Sequence, residues 1–399
     1  MEISGKTFVY WNGPKPELVT TNLEILKEVI NDKDENFPKD DVEGYLRILL
    51  GDGLVVSSGE KWVKMRKLAN HVFHGQSLRV GKEIEVFEEF KHLTSDIISR
   101  TAFGSSYVEG KDIFQMLWKL TSIIARNAHK IQLPIFQTRD NVESEMIDRF
   151  IRKSFIDIVE KREKDSGEVD CFGDDFLGSL MKAHYSVDEC YKVTMDDMID
   201  EFKTFYIAGH ETTTGLLSWS MFLLAIHTVW QEKAREESFN LFKGKNPNSH
   251  DLSKMKTIIM LIRETLRLYP PTLSLIRRSK HEVNLGKVKV PGNTRQHFPV
   301  LFVHHDTEIW GEDAHLFKPE RFSQGVAKAT NNNPEMFIPF GSGPRSCPGS
   351  NFATNEAKIA LSMILQRYSF TLSPAYVHSP CEVLTLWPKF GIPIFLHPL

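Results

Sequence analysis

The apolar positions along the middle of the chain follow a helical spacing. From about Val80 to Lys203, most segments have the helical pattern and are joined by short polar breaks. Thr194 to Thr228 is one long helical stretch, and another helix runs from about Ser253 to Tyr269. That helix stops at Pro270-Pro271, because proline has no N–H with which to continue the helical hydrogen bonds. The middle of the chain is therefore predicted to be mostly α-helical.

Strand-like segments flank this helical region. Thr7 to Val19 is typical of two short strands around a turn at Asn12-Gly13-Pro14. Val283 to Val290 and His297 to Val303 alternate or carry β-branched residues, which predicts further short strands. A stripe of apolar residues predicts a last helix near Asn351 to Tyr368. The fold class expected from these patterns is mainly α with small β-sheets.

Composition narrows the class of protein. The chain has 399 residues, of which 41% are hydrophobic and 25% charged, as in a soluble globular protein with a substantial core. The formal net charge of −3 gives no sign of the strongly basic face that a nucleic-acid partner would favour. No internal repeat or low-complexity tract divides the sequence, and we predict one domain over residues 1–399.

Cysteine usage and the apolar runs bear on the compartment. Four widely spaced cysteines without a C-x-x-C pair make a disulfide framework improbable and favour a reducing compartment. The most apolar run, Gly215 to Ile226, has about half the roughly 20 residues that a membrane-spanning helix needs. The N-terminus has no signal-peptide pattern. We therefore expect no membrane anchor within this sequence.

One cysteine stands in a glycine-rich turn before the last predicted helix, in the segment FGSGPRSCPG from Phe340 to Gly349. Backbone N–H groups at a helix start stabilise nearby anions, which favours the thiolate of Cys347. Glycines let the backbone approach a flat cofactor closely, and Arg345 could pair with a carboxylate at its edge. A buried structural cysteine would not require this combination of residues at fixed offsets. The segment therefore predicts a ligand site.

The long predicted helix contains the segment AGHETT, from Ala208 to Thr213. Glycine and consecutive threonines are poor helix formers, and threonine hydroxyls can bend a helix by bonding back to its carbonyls. Glu211 and Thr212 then offer an acid and a hydroxyl for proton transfer. A helix kink that serves packing alone explains the motif about equally well. His210 is expected to be a packing or surface residue.

Two further pairs of residues share a helix face. Glu264 and Arg267 lie three positions apart and can form an ion pair, although an exposed salt bridge of little energetic weight would have the same pattern. Trp62 and Arg66 lie one turn apart in a basic helix, Glu60 to Phe73. A basic amphipathic surface helix is the alternative interpretation of that pair.

The cysteine segment matches F-x-x-G-x-R-x-C-x-G at every fixed position, and in this it resembles the cytochrome P-450 superfamily. Three further segments match the patterns of that family: A-G-x-E-T at Ala208–Thr212, E-x-x-R at Glu264–Arg267 and P-E-R-F at Pro319–Phe322. Other stretches, such as Ser99–Gly104 and Trp310–Asp313, look like those of plant members. The resemblance covers nearly the whole chain and implies the P-450 fold.

The resemblance also implies an activity and its partners. Such a haem-thiolate monooxygenase inserts one atom of O2 into a lipophilic small molecule, here a terpenoid, hormone or fatty-acid-like compound. Electrons are expected from an NADPH–cytochrome P-450 reductase, because no G-x-G-x-x-G dinucleotide fingerprint opens a strand–helix unit in this sequence. Members of the family lie at the cytosolic face of the endoplasmic reticulum membrane, but a chain without an anchor could be soluble.

The site residues follow from the matched motifs. Cys347 is implied as the axial thiolate of haem b, Thr212 as the alcohol over the iron and Glu211 as the acid that assists proton delivery. The other implied haem contacts are Arg345, Trp62, Arg66 and Arg277 at the propionates, and Phe340 and Gly349 beside the sulfur. Glu264, Arg267 and Arg321 are implied as a buried structural network. His304-His305-Asp306 lacks the spacing of a zinc site and is interpreted as a structural loop.

Two departures from the family pattern leave alternatives open. The membrane anchor and first helix of the family have no counterpart, and one helix is missing between Phe73 and Val86. A non-catalytic remnant that cannot hold haem is therefore one alternative. The other is a haem-thiolate isomerase or dehydratase that needs no external electrons. The intact pair Glu211-Thr212 argues against it, because such enzymes tend to lack that pair.

Overall fold

We describe the protein from a computed structural model. It covers residues 2–4, 7–12, 15–20, 82–104, 107–127, 138–166, 171–285 and 288–399. The chain divides into two compact units, Met1–Val80 and Gly81–Leu399. The single catalytic domain over residues 1–399 stays a prediction.

The N-terminal unit contains a three-stranded antiparallel sheet. Its strands, in the order β1-β2-β3, are Glu2–Ser4, Thr7–Asn12 and Lys15–Thr20. Strands β2 and β3 pair from Asn12 opposite Lys15 to Thr7 opposite Thr20, so the two strands expected around the predicted turn are confirmed. The basic helix predicted over Glu60 to Phe73 lies outside the described residues.

The larger unit is mainly helical, as the apolar pattern predicts. Its longer helices are α1 (Val86–Phe103), α2 (Tyr107–Asn127), α3 (Arg139–Ser166), α4 (Phe176–His184), α5 (Met195–Ile226) and α6 (Thr228–Phe242). They are followed by α7 (Ser249–Leu252), α8 (Thr257–Leu268), α9 (Val300–His305), α10 (Thr307–Trp310), α11 (Val326–Ala329) and α12 (Ser350–Leu365).

Helix α5 is the centre of this unit. It begins with a capping box, in which the Thr194 hydroxyl accepts the N–H of Asp197 and the Asp197 side chain accepts the N–H of Thr194. Its C-terminal half is apolar and buried in the core that it forms with α6, α8 and α12. Its N-terminal half belongs to a second core, which it forms with α1, α2, α3 and α4. One long helix thus supports both cores.

Gly209 lets α1 approach α5 closely. A Cβ built on Gly209 would lie 2.6 Å from the Cδ1 atom of Ile98 in α1, which is closer than two carbons can approach. Helix α5 continues without interruption through the motif that contains this glycine. Packing against α1 therefore accounts for a residue that lowers helix propensity.

The larger unit also contains short antiparallel sheets. The strands are β4 (Lys82–Glu85), β5 (Ser274–Arg278), β6 (Val283–Leu285), β7 (Val288–Val290), β8 (Arg295–Pro299), β9 (Tyr368–Leu372), β10 (Pro380–Glu382), β11 (Leu386–Pro388) and β12 (Pro393–Pro398). They form a sheet in the order β4-β12-β9 and three pairs, β5-β8, β6-β7 and β10-β11. The expected class, mainly α with small sheets, is confirmed.

Two boundaries differ from the sequence prediction. The strand predicted over His297 to Val303 ends at Pro299, and α9 replaces its second half. A contact with another helix stabilises α9: the carbonyl of His304 in its last turn accepts a hydrogen bond of 2.9 Å from Arg267 of α8. The last helix ends at Leu365, and Tyr368 begins a strand instead of ending the helix.

Candidate functional site

The cysteine loop is folded by its own backbone. The N–H of Cys347 donates to the carbonyl of Phe340 over 2.8 Å, which closes the loop. Gly341 and Gly343 have φ angles of 69° and 71°, in the left-handed region that favours glycine. The Cys347 side chain is exposed. The loop therefore exposes a thiol beside a glycine backbone, which a ligand can approach closely.

The start of α12 lies three residues after this thiol. Its N-cap residue is Gly349, and no side chain caps the first turn. A Cβ built on Gly349 would lie 3.8 Å from the sulfur of Cys347, so this backbone is adjacent to the thiol. Uncapped N–H groups of a helix start favour a nearby anion. Phe340 is half-buried and packs against the core, which anchors the other end of the loop.

On α5, the alcohol of the predicted pair lies on an accessible face. Thr212 is half-buried, and its hydroxyl donates to the carbonyl of Ala208 over 2.7 Å. Ala208, one turn earlier, is exposed. In the described residues, these two positions share a face of a helix that is otherwise largely buried. The small side chain of Ala208, one turn before the Thr212 hydroxyl, leaves space on this face for a bound molecule.

The acid of the pair lies in a different environment. Glu211 is buried, and burial raises the pKa of its carboxyl to about 7. The hydroxyl of Thr121 in α2 donates to its Oε1 over 3.2 Å. A carboxyl with a pKa near neutrality can hold or release a proton in working conditions, which is the property that acid catalysis needs.

His210, next to this carboxyl, is a packing residue, as predicted. It is buried, its Nε2 accepts from the indole N–H of Trp118 over 3.3 Å, and its ring meets Phe114 edge-on. Burial lowers the pKa of His210 to about 3, so the ring is neutral at physiological pH. A neutral, enclosed imidazole adds no charge beside Glu211.

The structure brings Glu264, Arg267 and Arg321 together. Arg267 donates to both carboxyl oxygens of Glu264, over 2.8 and 2.7 Å, and both side chains are fully buried. Its other donors reach three backbone carbonyls: those of His304, Ala314 and Leu316. The Nε of Arg321 lies 3.6 Å from Glu264 Oε1. The exposed salt bridge considered for this pair is therefore wrong.

Two members of this network were missed by the sequence reasoning. Asp313 pairs with Arg321 over 2.6 Å and with Lys318 over 2.5 Å, and the backbone N–H of Lys318 donates to Glu264. Hydrogen bonds from Lys318 and Arg321 hold the pKa of Asp313 down at about 2. The sequence contains one signal for Asp313: it is the last residue of the segment Trp310–Asp313, whose likeness to plant members was noted without assigning the aspartate a role.

The predicted propionate contacts are placed only in part. Arg277 is exposed on β5 and donates to the carbonyl of Ile276, while Arg278 donates to Asn293. Arg345 is exposed in the short turn before Cys347. Trp62 and Arg66 lie outside the described residues.

His304 and His305 serve the fold. The Nε2 of His304 accepts the N–H of Ile338 over 3.0 Å, and its ring stacks on Phe337. The segment belongs mainly to helix α9, so the expected loop is wrong. Within the described ranges, no group of three or more His, Cys, Asp or Glu side chains could hold a metal ion.

A family model described as cytochrome P-450 matches residues 2–85 and 76–389, which is nearly the entire chain. The chain belongs to the cytochrome P-450 family. The two matched segments meet in the stretch where one helix of the family is expected to be missing. The family assignment makes the protein a haem- and iron-dependent monooxygenase, and it identifies the helical architecture as the P-450 fold.

Curated plant proteins support the assignment. The chain is 53% identical to cytochrome P-450 CYP749A22 of Panax ginseng, with 100% of this chain and 81% of the relative covered. It is 40% identical to cytochrome P-450 CYP72A616 of Paris polyphylla, with 99% and 82% covered. It is 39% identical to 11-oxo-beta-amyrin 30-oxidase of Medicago truncatula, with 99% and 81% covered.

The residues at the cysteine loop fit haem. Cys347 offers a metal one thiol, and the described residues add no cluster of His, Cys, Asp or Glu ligands to it. Iron in a porphyrin, which has its own nitrogen ligands, fits such a single protein ligand. The thiol is exposed, and Gly341 and Gly343 present no side chain that a flat ring against the loop would meet. In the part of the chain that the structure describes, we find no helix both long and apolar enough to cross a membrane.

Proposed function

We propose that this P-450 oxidises a lipophilic terpenoid and that Cys347 would bind the iron of its haem through the thiolate. The observation that carries the proposal is the exposed thiol in a glycine loop before an uncapped helix start. The terpenoid class is supported by the 39% identity to an 11-oxo-beta-amyrin 30-oxidase. Electrons come from an NADPH–cytochrome P-450 reductase, at the cytosolic face of the endoplasmic reticulum membrane, as is usual in the family.

Haem with a thiolate ligand supplies the iron centre at which O2 is activated, since the thiolate favours cleavage of the O–O bond. Phe340 and Gly349 stand at the two ends of the cysteine loop, where they would limit the access of water to the sulfur once haem is bound. Arg345 and Arg277 would bind haem propionates through their guanidinium groups. The same role is proposed for Trp62 and Arg66 from the family motif alone. The network of Glu264, Arg267 and Arg321 joins helix α8 to the backbone at His304, Ala314 and Leu316, and in this way it would shape the haem pocket.

Proton delivery is assigned to Glu211 and Thr212. A carboxyl with a pKa of about 7 is partly protonated at neutral pH and can pass a proton on without a large energetic penalty. Thr212 lies on the accessible face of α5, where its hydroxyl can move from the Ala208 carbonyl to a water or a substrate oxygen. The acid therefore holds the proton, and the alcohol orients its transfer.

Replacement of the sulfur tests the ligand. Cys347→Ser, purified with haem supplied during expression, is expected to lose the Soret shift that a thiolate ligand gives after reduction and addition of carbon monoxide. Cys190→Ser is the matched control, because that cysteine is also exposed. Unchanged spectra and turnover in Cys347→Ser would overturn the assignment, and absence of haem in the parent chain would favour the non-catalytic remnant.

Reconstitution tests the electron donor and the substrate. The chain is mixed with a plant reductase, NADPH and a panel of triterpenoids such as 11-oxo-beta-amyrin, and products are identified by mass spectrometry. Products heavier by one oxygen atom and dependent on both reductase and NADPH are expected. Conversion of a peroxide substrate without reductase would instead support the isomerase or dehydratase alternative.

A further inference from the structure

We infer that Thr121 in α2 is a positioning residue that holds the Glu211 carboxyl in either of its protonation states. The inference rests on the proposed role of Glu211 as the proton donor. It adds a residue from a different helix, outside every motif of the sequence, to the groups that deliver protons.

The geometry of Thr121 places one hydroxyl between two acceptors. Its Oγ1 lies 3.2 Å from Glu211 Oε1 and 3.1 Å from the carbonyl oxygen of Leu117, one turn earlier in α2. Both Thr121 and Glu211 are buried, with exposures of 1% and 3%. The second carboxyl oxygen, Oε2, is buried and has no hydrogen-bond partner among the described residues. Thr121 is therefore the side chain that fixes the orientation of this carboxyl.

A hydroxyl has one proton, and this proton can serve either acceptor. When Glu211 is ionised, Thr121 donates to Oε1. When Oε1 is protonated, the carboxyl donates to Thr121, and the hydroxyl turns to donate to the Leu117 carbonyl. Both states keep their hydrogen bonds, so a proton can come and go without a buried polar group losing its partner. A fixed donor, such as an amide, would favour only the ionised carboxyl.

The surrounding charges agree with a carboxyl balanced between two states. The charge of Lys91 in α1 lowers the pKa of Glu211, and its ammonium pairs with Glu88 over 2.6 Å. Its ammonium lies 4.7 and 4.9 Å from the ring centres of Phe87 and Trp387. Burial is the largest influence on the Glu211 pKa and raises it, while the Thr121 hydrogen bond and Lys91 lower it.

Among the described residues, Lys91 is the one charged group that affects the Glu211 pKa. Helix α2 contributes Trp118 in addition to Thr121, and the indole binds the neutral ring of His210 on α5. On the contact between α1 and α5, Thr94 and Thr214 share a hydrogen bond of 2.7 Å. The Thr121 hydroxyl is therefore the contact whose removal should change the carboxyl most directly.

The alternative is that Thr121 only bonds to its own helix. Threonine and serine hydroxyls in a helix often donate to the carbonyl four residues earlier, as Ser122 does to Trp118 over 2.9 Å. Thr121→Val keeps the shape and removes the hydroxyl, and Thr121→Ser restores the hydroxyl. Ser122→Ala is the matched control, because it removes a neighbouring bond of the same type at an exposed position.

The experiment measures the protonation of Glu211 directly. The infrared C=O band of the protonated carboxyl is followed against pH in the holoenzyme and assigned by its loss in Glu211→Gln. Thr121→Val is expected to move the midpoint upward by about one pH unit, because the bond that Thr121 donates to the charged carboxylate is stronger than the bond that it accepts from the neutral acid. Thr121→Ser and Ser122→Ala should keep the parent midpoint. The carbon monoxide spectrum of each variant reports whether haem is bound.

Turnover provides the second measurement. Thr121→Val is expected to form less product per NADPH and to show a larger solvent isotope effect, with both restored in Thr121→Ser. An unchanged midpoint in Thr121→Val would overturn the inference. If Glu211→Gln leaves product formation unchanged while Thr121→Val still moves the midpoint, the proposed role of Glu211 fails and the contact with Thr121 stands.

Discussion

Arg267 offers the sharpest test of the buried network, because all five of its N–H donors are used. Two reach Glu264, and three reach the carbonyls of His304, Ala314 and Leu316. Arg267→Lys keeps the charge but provides three donors from one point, where arginine provides five in a planar fork. We expect this conservative change to destabilise the protein strongly.

The magnitude follows from the count of donors. With three donors for five acceptor contacts, at least two buried contacts are lost. Each unsatisfied buried group costs about 1–3 kcal/mol, so the free energy of unfolding should fall by about 2–6 kcal/mol. Domains are commonly stable by about 5–15 kcal/mol, and the loss is therefore a large fraction of the total.

The assay is urea unfolding followed by circular dichroism, with the Soret absorbance recorded to follow haem retention. Arg263→Lys is the matched control, since Arg263 lies one turn earlier on α8 and is only half-buried. It should change the free energy of unfolding by about 0.5 kcal/mol or less. Equal effects of the two variants would refute the reasoning that the buried fork of donors matters.

Two further changes test other carboxyls. Glu237 of α6 accepts the N–H groups of Lys256, Thr257 and Ile258 at the start of α8, whose N-cap residue provides no side-chain cap. Glu237→Ala should therefore lower the free energy of unfolding in urea by about 1–2 kcal/mol. Glu236→Ala, at an exposed neighbouring position, should leave it unchanged. Burial raises the pKa of Glu356 in α12 to about 8, from an ordinary value of 4.5. Between these two values the folded chain keeps a proton that the unfolded chain releases, so stability falls as pH rises through this range. Glu356→Gln should remove that fall and stabilise the protein at pH 8 by on the order of 3 kcal/mol relative to the parent, with little change at pH 4; the same pH slope in both proteins would contradict the assignment.

Much of the candidate site could be predicted because it is contiguous in sequence. The loop from Phe340 to Gly349 contains its thiol, its glycines and its arginine within ten residues. Glu211 and Thr212 are adjacent, and Glu264 and Arg267 lie one helical turn apart. Helical spacing fixes which side chains share a face, so such motifs and the class of fold can be derived from local pattern.

The sequence by itself thus determined the helical architecture, the cysteine loop and the acid–alcohol pair. Only the tertiary structure decided what those groups contact: Thr121 bonds to Glu211, and Asp313 and Lys318 join the Glu264 network. It also decided that a helix replaces part of a predicted strand from Val300 onward. The physical reason is that local periodicity selects a face of a helix, whereas its partner comes from a segment tens of residues away. Burial, hydrogen bonding and the pKa of a carboxyl depend on that partner.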